Sequence, residues 1–220
     1  MRQCIDKYVP LIFRNKIYEK SVLIPNGIDK FWIDNIFPLI KRINPKNIKL
    51  IFAGNVNKNK NLEIVAKAAE YLNKRKFNII FTIVGNVTNK KLAIKLQKYP
   101  CINLVGRVDK ELLIEYYRSN DIFVMPSITE SFGLVYLEAI SQGLPVIYSR
   151  NQGFDGQFEE GTVGYAVSSK SVTEVVSVIK AIVNEYEKLS GNSYLIIERF
   201  DWHNIASQYY AVYKKEVCHD

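Results

Sequence analysis

Residues 48–85 read IKLIFAGNVNKNKNLEIVAKAAEYLNKRKFNIIFTIVG. Ile48–Ala53, apolar but for Lys49, reads as a buried strand and ends at Gly54. Asn61–Lys74 places Leu62, Val65, Ala66, Ala69 and Leu72 at helical spacing. Asn78–Val84 is a second apolar run, again closed by a glycine, Gly85. Two such runs around an amphipathic helix predict parallel strands joined by a helical crossover.

The alternation continues outward. Lys90–Lys98 reads as a helix and Ile102–Val105 as a strand ending at Gly106. Asp109–Arg118 is a helix with Asp109 as its N-cap, followed by a strand over Asp121–Met125. Gly133–Gln142 is a helix, Pro145–Tyr148 a strand and Gly164–Val167 the last strand. A helix over Val172–Leu189 and an amphipathic, aromatic-rich tail, Asp201–Val217, complete the pattern. The expected fold class is α/β: a Rossmann-like, doubly wound parallel sheet with helices on both faces. Residues 1–47 hold no β-α-β unit and read as a lead-in or linker to a domain over 48–220. Within them Ser21–Asp29 (SVLIPNGID) reads as a strand running into a Pro-Asn-Gly turn. Ligands of such sheets bind beyond the carboxyl ends of the strands. The chemistry is therefore expected in the loops after Ala53, Val84, Val105, Met125 and Tyr148.

A chain of 220 residues is long enough for one sizeable core. Its formal net charge of +8 fits an anionic partner, and equally a lysine-rich solvated surface. Cys4, Cys101 and Cys218 are odd in number and widely spaced, which suggests neither a disulfide framework nor a zinc site, and points to a reducing compartment. With only His203 and His219, a His-based triad or a His-rich metal site is not expected. Asp6 and Lys7 interrupt the start, and the apolar run Tyr8–Phe13 is short for a signal peptide. No run approaches the ~20 apolar residues that span a bilayer. The expectation is a cytoplasmic protein, with peripheral contact at the inner face of the membrane left open.

The segment Pro126–Ile147, PSITESFGLVYLEAISQGLPVI, carries two glutamates with seven residues between them. Glu130 falls in a loop and Glu138 two turns into the helix. Ser131 is the expected cap, leaving the amides of Phe132, Gly133 and Leu134 as donors for an anion or a sugar oxygen. Gly133 allows a ligand close to the backbone. Glu130 suits sugar hydroxyls, and Glu138 a pair of hydroxyls such as those of a ribose. A glutamate pair at this spacing is commonly no more than a residue complementing the helix dipole and a surface residue. The flanking Ser-Phe-Gly, the preceding strand and the following Gly-Leu-Pro set this pair apart. In the loop Gly54–Asn61, Lys60 stands near a helix start, where it suits a diphosphate, with Lys58 beside it; the alternative is a solvated loop. A P-loop is excluded, because the second glycine and the final Ser/Thr are absent. Gly106-Arg107-Val108 suits a nucleobase edge with Arg107 stacked on it, or a plain strand-end turn with an exposed arginine. Gly153, Gly156, Gly161 and Gly164 suggest a mobile loop at the same sheet edge.

Taken in order, several motifs resemble one family. They are the PNGID turn, Ala53-Gly54 with Lys60-Asn61, Ile83-Val84-Gly85, Gly106-Arg107-Val108, and the Glu-x7-Glu segment. Gly143-Leu144-Pro145-Val146-Ile147 and Phe200-Asp201-Trp202 follow. Over about residues 21–215 the chain resembles the C-terminal, nucleotide-sugar-binding half of a retaining GT-B glycosyltransferase of the family 4, or group 1, type. The resemblance implies a UDP- or GDP-sugar donor and transfer of a hexose-type sugar, with retention, to a saccharide or lipid-linked acceptor. It implies neither metal nor other cofactor, no nucleic-acid partner, and a place in polysaccharide biosynthesis. It assigns donor binding to Gly54, Lys58, Lys60, Arg107, Val108, Glu130, Ser131, Phe132, Gly133, Leu134 and Glu138, with Glu130 and Lys60 as the catalytic pair. The family usually carries an arginine where this chain has Asn55, and Lys58 is the candidate substitute. The family's acceptor domain is not found in these 220 residues. That implies a separate acceptor-domain chain in a split enzyme, or a non-catalytic nucleotide-sugar-binding module. The apolar face so left is expected to be covered by the first 20 residues or by another subunit.

Overall fold

A computed structural model describes residues 5–6 and 8–217. The helices α1 (Leu11–Glu19) and the short α2 (Lys30–Asp34) precede β1 (Asn47–Ala53). The chain then alternates through α3 (Leu62–Asn73), β2 (Asn78–Val84), α4 (Lys90–Leu96), β3 (Ile102–Gly106) and α5 (Lys110–Ser119). It continues with β4 (Ile122–Met125), α6 (Leu134–Ser141), β5 (Val146–Ser149) and β6 (Gly164–Val167). Three helices close it: α7 (Val172–Asn184), α8 (Tyr186–Ile197) and α9 (Trp202–Val217).

All six strands are parallel, in the order β3-β2-β1-β4-β5-β6. Every residue of β4 and β5 is buried, which is why these strands read as continuous apolar runs and not as alternating ones. β1 pairs β2 along its whole length, and it pairs β4 through Leu50↔Ile122 and Ile51↔Phe123. The strand order thus reverses between β1 and β4, which makes their carboxyl ends the switch point of the sheet. The cap predicted at Asp109 is present: its carboxylate accepts from the Leu112 amide at 2.8 Å.

Three local expectations need correction. Ser21–Asp29 is not a strand; its one sheet-like contact is a single bridge between Ile28 and Asp201. Val22 and Leu23 are exposed there, so no neighbouring strand turns the extended segment into a ladder. The helix expected over Val172–Leu189 is two helices. The chain bends at Glu185 (φ −114°, ψ 20°), which turns Tyr186 inward, and its hydroxyl donates to the Asp121 carbonyl at 2.8 Å. Finally, α1 covers no apolar face. It has no buried residue, and Leu11, Ile12 and Phe13 are themselves exposed.

Residues before β1 nevertheless enter the core. Ile28 and Trp32 are buried in the same cluster as the sheet. Trp32 meets Tyr117 edge-on at 5.8 Å, Tyr117 meets Phe123 at 6.1 Å, and Phe123 meets Tyr136 at 5.5 Å. Lys41 is mostly buried, and its ammonium donates to the carbonyls of Tyr117 and Asn120, closing the C-terminal end of α5. Burial brings its pKa down to about 8. Cys101 is a buried free thiol, while Cys4, Cys218 and His219 lie outside the described residues. Among the described residues, no helix is long and apolar enough to cross a membrane.

Candidate functional site

The loop leaving β1 and the loop leaving β4 face one another across the switch point. In the first, Lys58–Lys60 forms a single 3-10 turn whose cap is the Asn57 side chain, accepting from the Lys60 amide at 3.2 Å. Asn61 follows in the left-handed region (φ 55°), and its amide nitrogen donates to the carbonyls of Pro126 at 3.1 Å and Ser169 at 2.6 Å. The turn is thereby tied to the start of the opposing loop. Lys60 points across the gap, and its Nζ lies 2.6 Å from Glu130 Oε2, with Ser127 Oγ 3.4 Å from the same oxygen.

An open cleft of about 570 Å3 lies here. Of the residues singled out from sequence, Gly54, Lys60, Glu130, Ser131, Phe132, Gly133, Leu134 and Glu138 all line it. Lys58, Arg107 and Val108 do not. Lys58 is exposed on the far part of its turn, and Arg107 is exposed beyond β3, an edge strand separated from β1 by β2. Asn55, which stands where the family usually has arginine, also lines the cleft.

The expectation that Ser131 caps α6 is corrected. The N-cap is Gly133, in the left-handed region (φ 78°), and no side chain caps the helix. The backbone at Ser131 is instead pressed against Gly153, where a Cβ would overlap the Ser131 carbonyl. A Cβ on Gly133 would sit 2.6 Å from the Tyr136 ring, so both space and backbone angle require glycine. Tyr136 anchors the turn from below, its buried hydroxyl donating to the Met125 carbonyl at 2.5 Å. The glycine-rich stretch after β5 is thus partly close-packed: side chains are barred at Gly153 and Gly164, while Gly156 faces open space.

Glu138, on the second turn of α6, lies toward the cleft and 3.5 Å from the Tyr117 hydroxyl, which donates to it. Burial pushes its carboxyl up to about 7, against the opposing pull of Lys110 and the Tyr117 hydrogen bond. The site therefore holds one cation, one carboxylate paired with it, and one carboxyl that changes charge near neutral pH. Among the described residues, no group of three His, Cys, Asp or Glu side chains could hold a metal ion.

Lining residues that the sequence reading did not assign to the site are Ala53 and Val135, each beside an assigned residue, and Asn26, Asn57 and Leu113. Asn26 comes from the Pro-Asn-Gly turn, whose Gly27 lies under the Trp202 ring, 2.6 Å from where a Cβ would be. Asn57, the cap of the lysine turn, was legible as a helix-start signal. Leu113 reaches the cleft from α5, and nothing in its local sequence marks it.

The model of a family described as "Glycosyl transferases group 1" matches residues 36–193, well over half of the chain. The chain belongs to the group 1 glycosyl transferases. This group 1 chain is 27% identical over 180 residues to a D-inositol 3-phosphate glycosyltransferase of Pseudarthrobacter chlorophenolicus, covering 76% of this chain and 43% of that protein. In fold it is similar to the sucrose-phosphate synthase of Thermosynechococcus elongatus (TM-score 0.73, 21% identity, 95% of this chain and 56% of that one). It is also similar to the pneumococcal O-GlcNAc transferase GtfA, solved in complex with UDP and GlcNAc (TM-score 0.68, 24% identity, 100% of this chain and 47% of that one). The chain spans 43%, 46% and 64% of the length of three curated relatives that it matches. The group 1 match takes in both glutamates and the lysine turn, and of the cleft's lining residues it leaves out Asn26.

Proposed function

We propose that this chain is the nucleotide-sugar-binding half of a glycosyltransferase. It would hold a UDP- or GDP-sugar while a hexose-type sugar passes, with retention, to a saccharide or lipid-linked acceptor. The observation that carries the reading is the opposition of Lys60 and Glu130 at the switch point, with Glu138 and the N-terminus of α6 in the same cleft. A nucleotide sugar presents a diphosphate, a ribose and a sugar ring. Lys60 suits the diphosphate, Glu138 the paired ribose hydroxyls and Glu130 the hydroxyls of the donor sugar. When the bond from the sugar to the diphosphate breaks, negative charge grows on the leaving oxygens. Lys60 and the positive end of α6 would stabilise it.

The acceptor wall of the active site is assigned to residues outside these 220, in keeping with the share of its relatives that the chain spans. A separate acceptor-domain chain is its proposed partner. The setting proposed is cytoplasmic, at the inner face of a membrane, in polysaccharide synthesis. The UDP held by the pneumococcal neighbour supports a uridine donor as the first to try. Calorimetric titration with UDP, GDP, UDP-glucose and GDP-mannose tests the reading. Saturable binding of one nucleotide series is expected, and no heat from any of the four would overturn it.

A further inference from the structure

The loop from Ser127 to Glu130 leaves β4 with neither a strand nor a helix to satisfy its backbone. Its polar groups are held from other loops, by the side-chain amides of Asn59 and Gln152 together with backbone groups of Asn59 and Gly153. Asn59 acts as a piece of strand: its carbonyl accepts from the Ile128 amide at 2.8 Å, its Oδ1 from the Thr129 amide at 3.0 Å, and its Nδ2 donates to the Thr129 carbonyl at 2.8 Å. On the other side, the Glu130 amide donates to Gln152 Oε1 at 2.9 Å, and the Glu130 carbonyl accepts from the Gly153 amide at 2.9 Å. Glu130 is therefore fixed at both backbone groups by residues 152–153, and its neighbour Thr129 at both by Asn59.

We infer that Gln152 and Asn59 are positioning residues for Glu130, setting its carboxylate against the part of the cleft that receives the donor's sugar. The inference rests on the proposed function for what Glu130 meets, and on the contacts above for what holds Glu130. Asn59 adjoins Lys60, so one segment places both members of the Lys60–Glu130 pair. Gln152 brings in the loop after β5, which the proposed function leaves without a role. Gly153 must lack a side chain for that loop to come close enough, since a Cβ there would overlap the Ser131 carbonyl. The Glu130 amide is held by the Gln152 side chain, so removing that acceptor releases one of the residue's two backbone anchors and leaves the bond from the Gly153 amide.

Gln152→Met keeps the shape of the side chain and removes the acceptor, while Gln152→Glu keeps an acceptor oxygen. Titrations of UDP and UDP-glucose (or GDP and GDP-mannose, whichever series the unmodified chain binds) separate the two parts of the donor. Expected for Gln152→Met is a loss of about tenfold in affinity for the nucleotide sugar, the size of one hydrogen bond, with the nucleoside diphosphate unchanged. Gln152→Glu should restore the sugar affinity to within about threefold. Hydrogen exchange at the Glu130 amide in the free protein should quicken in Gln152→Met and not in Gln152→Glu. If Gln152→Met fails to fold, Asn59→Leu carries the same expectation, with exchange read at the Thr129 amide. Equal losses for both ligands, or unchanged exchange, would overturn the positioning role while leaving the donor site standing. An unmodified chain that binds neither series would overturn the proposed function, and this inference with it.

Discussion

Lys60 Nζ lies 2.6 Å from Glu130 Oε2, although the two residues are 70 positions apart in the chain. Their side chains are 20% and 11% exposed, so this is not the solvated kind of ion pair that contributes little. Each charge depends on the other for compensation. Lys60→Met is expected to cost about 1–3 kcal/mol of stability, because the mostly buried Glu130 loses its compensating charge. It should also weaken nucleoside diphosphate binding at least ~10-fold. The double variant Lys60→Met/Glu130→Gln should regain stability and not binding. Urea unfolding and calorimetry measure the two effects, and recovery of binding in the double variant would remove the diphosphate role from Lys60.

The same pair means that Lys60 is already neutralised before an anion arrives. Glu130→Gln frees the ammonium. Affinity for the nucleoside diphosphate alone should then rise by about 3–10-fold at low salt, with the gain shrinking as salt screens it. The nucleotide sugar should gain less, since the proposed contact between Glu130 and the sugar is weakened. Calorimetry at about 20 mM and about 300 mM salt, on either side of the ~0.1 M at which the Debye length is ~10 Å, reads the difference. A drop in diphosphate affinity would show that Glu130 helps the diphosphate directly.

Glu138 makes the site pH-sensitive. Its carboxyl titrates at about 7 in the folded chain against an ordinary 4.5, so the folded state holds the proton more tightly than the unfolded one. The stability this contributes is fully present below about pH 4.5 and is lost as pH rises through about 7. Glu138→Gln cannot ionise. Its stability relative to the unmodified chain should therefore improve between pH 4.5 and 7, by up to about 3 kcal/mol, and level off above. Unfolding curves at pH 4.5, 6 and 8 provide the test. Nucleotide binding by the unmodified chain should strengthen over the same range if Glu138 has the proposed ribose role, because only an ionised carboxylate can accept from both hydroxyls. A flat binding profile would separate Glu138 from the ribose.

Gly153→Ala is predicted to be more damaging than an exposed loop position suggests. The added methyl would occupy the place of the Ser131 carbonyl, and backbone cannot move aside as a flexible side chain can. Overpacking of this kind costs about 1–3 kcal/mol. Nucleotide-sugar binding should weaken as the Glu130 loop shifts. Gly156→Ala is the control for space, as nothing lies within 4 Å of its Cβ position, although its φ of 87° carries its own strain.

The central strands were legible because they are covered on both faces: every residue of Ile122–Met125 and Val146–Ser149 is buried, and such short, mainly apolar runs fit covered parallel strands. The lysine and the two glutamates were legible because each follows a strand end, and the order β3-β2-β1-β4-β5-β6 gathers the ends of β1 and β4. What could not be read were contacts between distant segments. Ser131 has the right residue type for a cap, yet Gly133 takes the position because the Gly153 loop fixes the backbone at Ser131. Leu113 and Asn26 reach the cleft through tertiary packing alone. The break at Glu185 lies inside an unbroken helical pattern, and the bond from Tyr186 to Asp121 that accompanies it joins segments 65 positions apart.

Trp32 tests whether the residues before β1 are an appendage or part of the core. It is 2% exposed and packs edge-on against Tyr117, the residue that donates to Glu138. Trp32→Ala should cost about 3–5 kcal/mol, the range for removing a large aromatic from a close-packed site. It should also weaken nucleotide binding, because the cavity lies beside Tyr117, and Tyr117 orients the Glu138 carboxyl. Ile12→Ala, on the exposed face of α1, should change stability by no more than about 0.5 kcal/mol. Denaturant unfolding of the two variants gives the comparison. Equal small effects would mean that the sheet holds its core and its carboxyl pair without the leading segment.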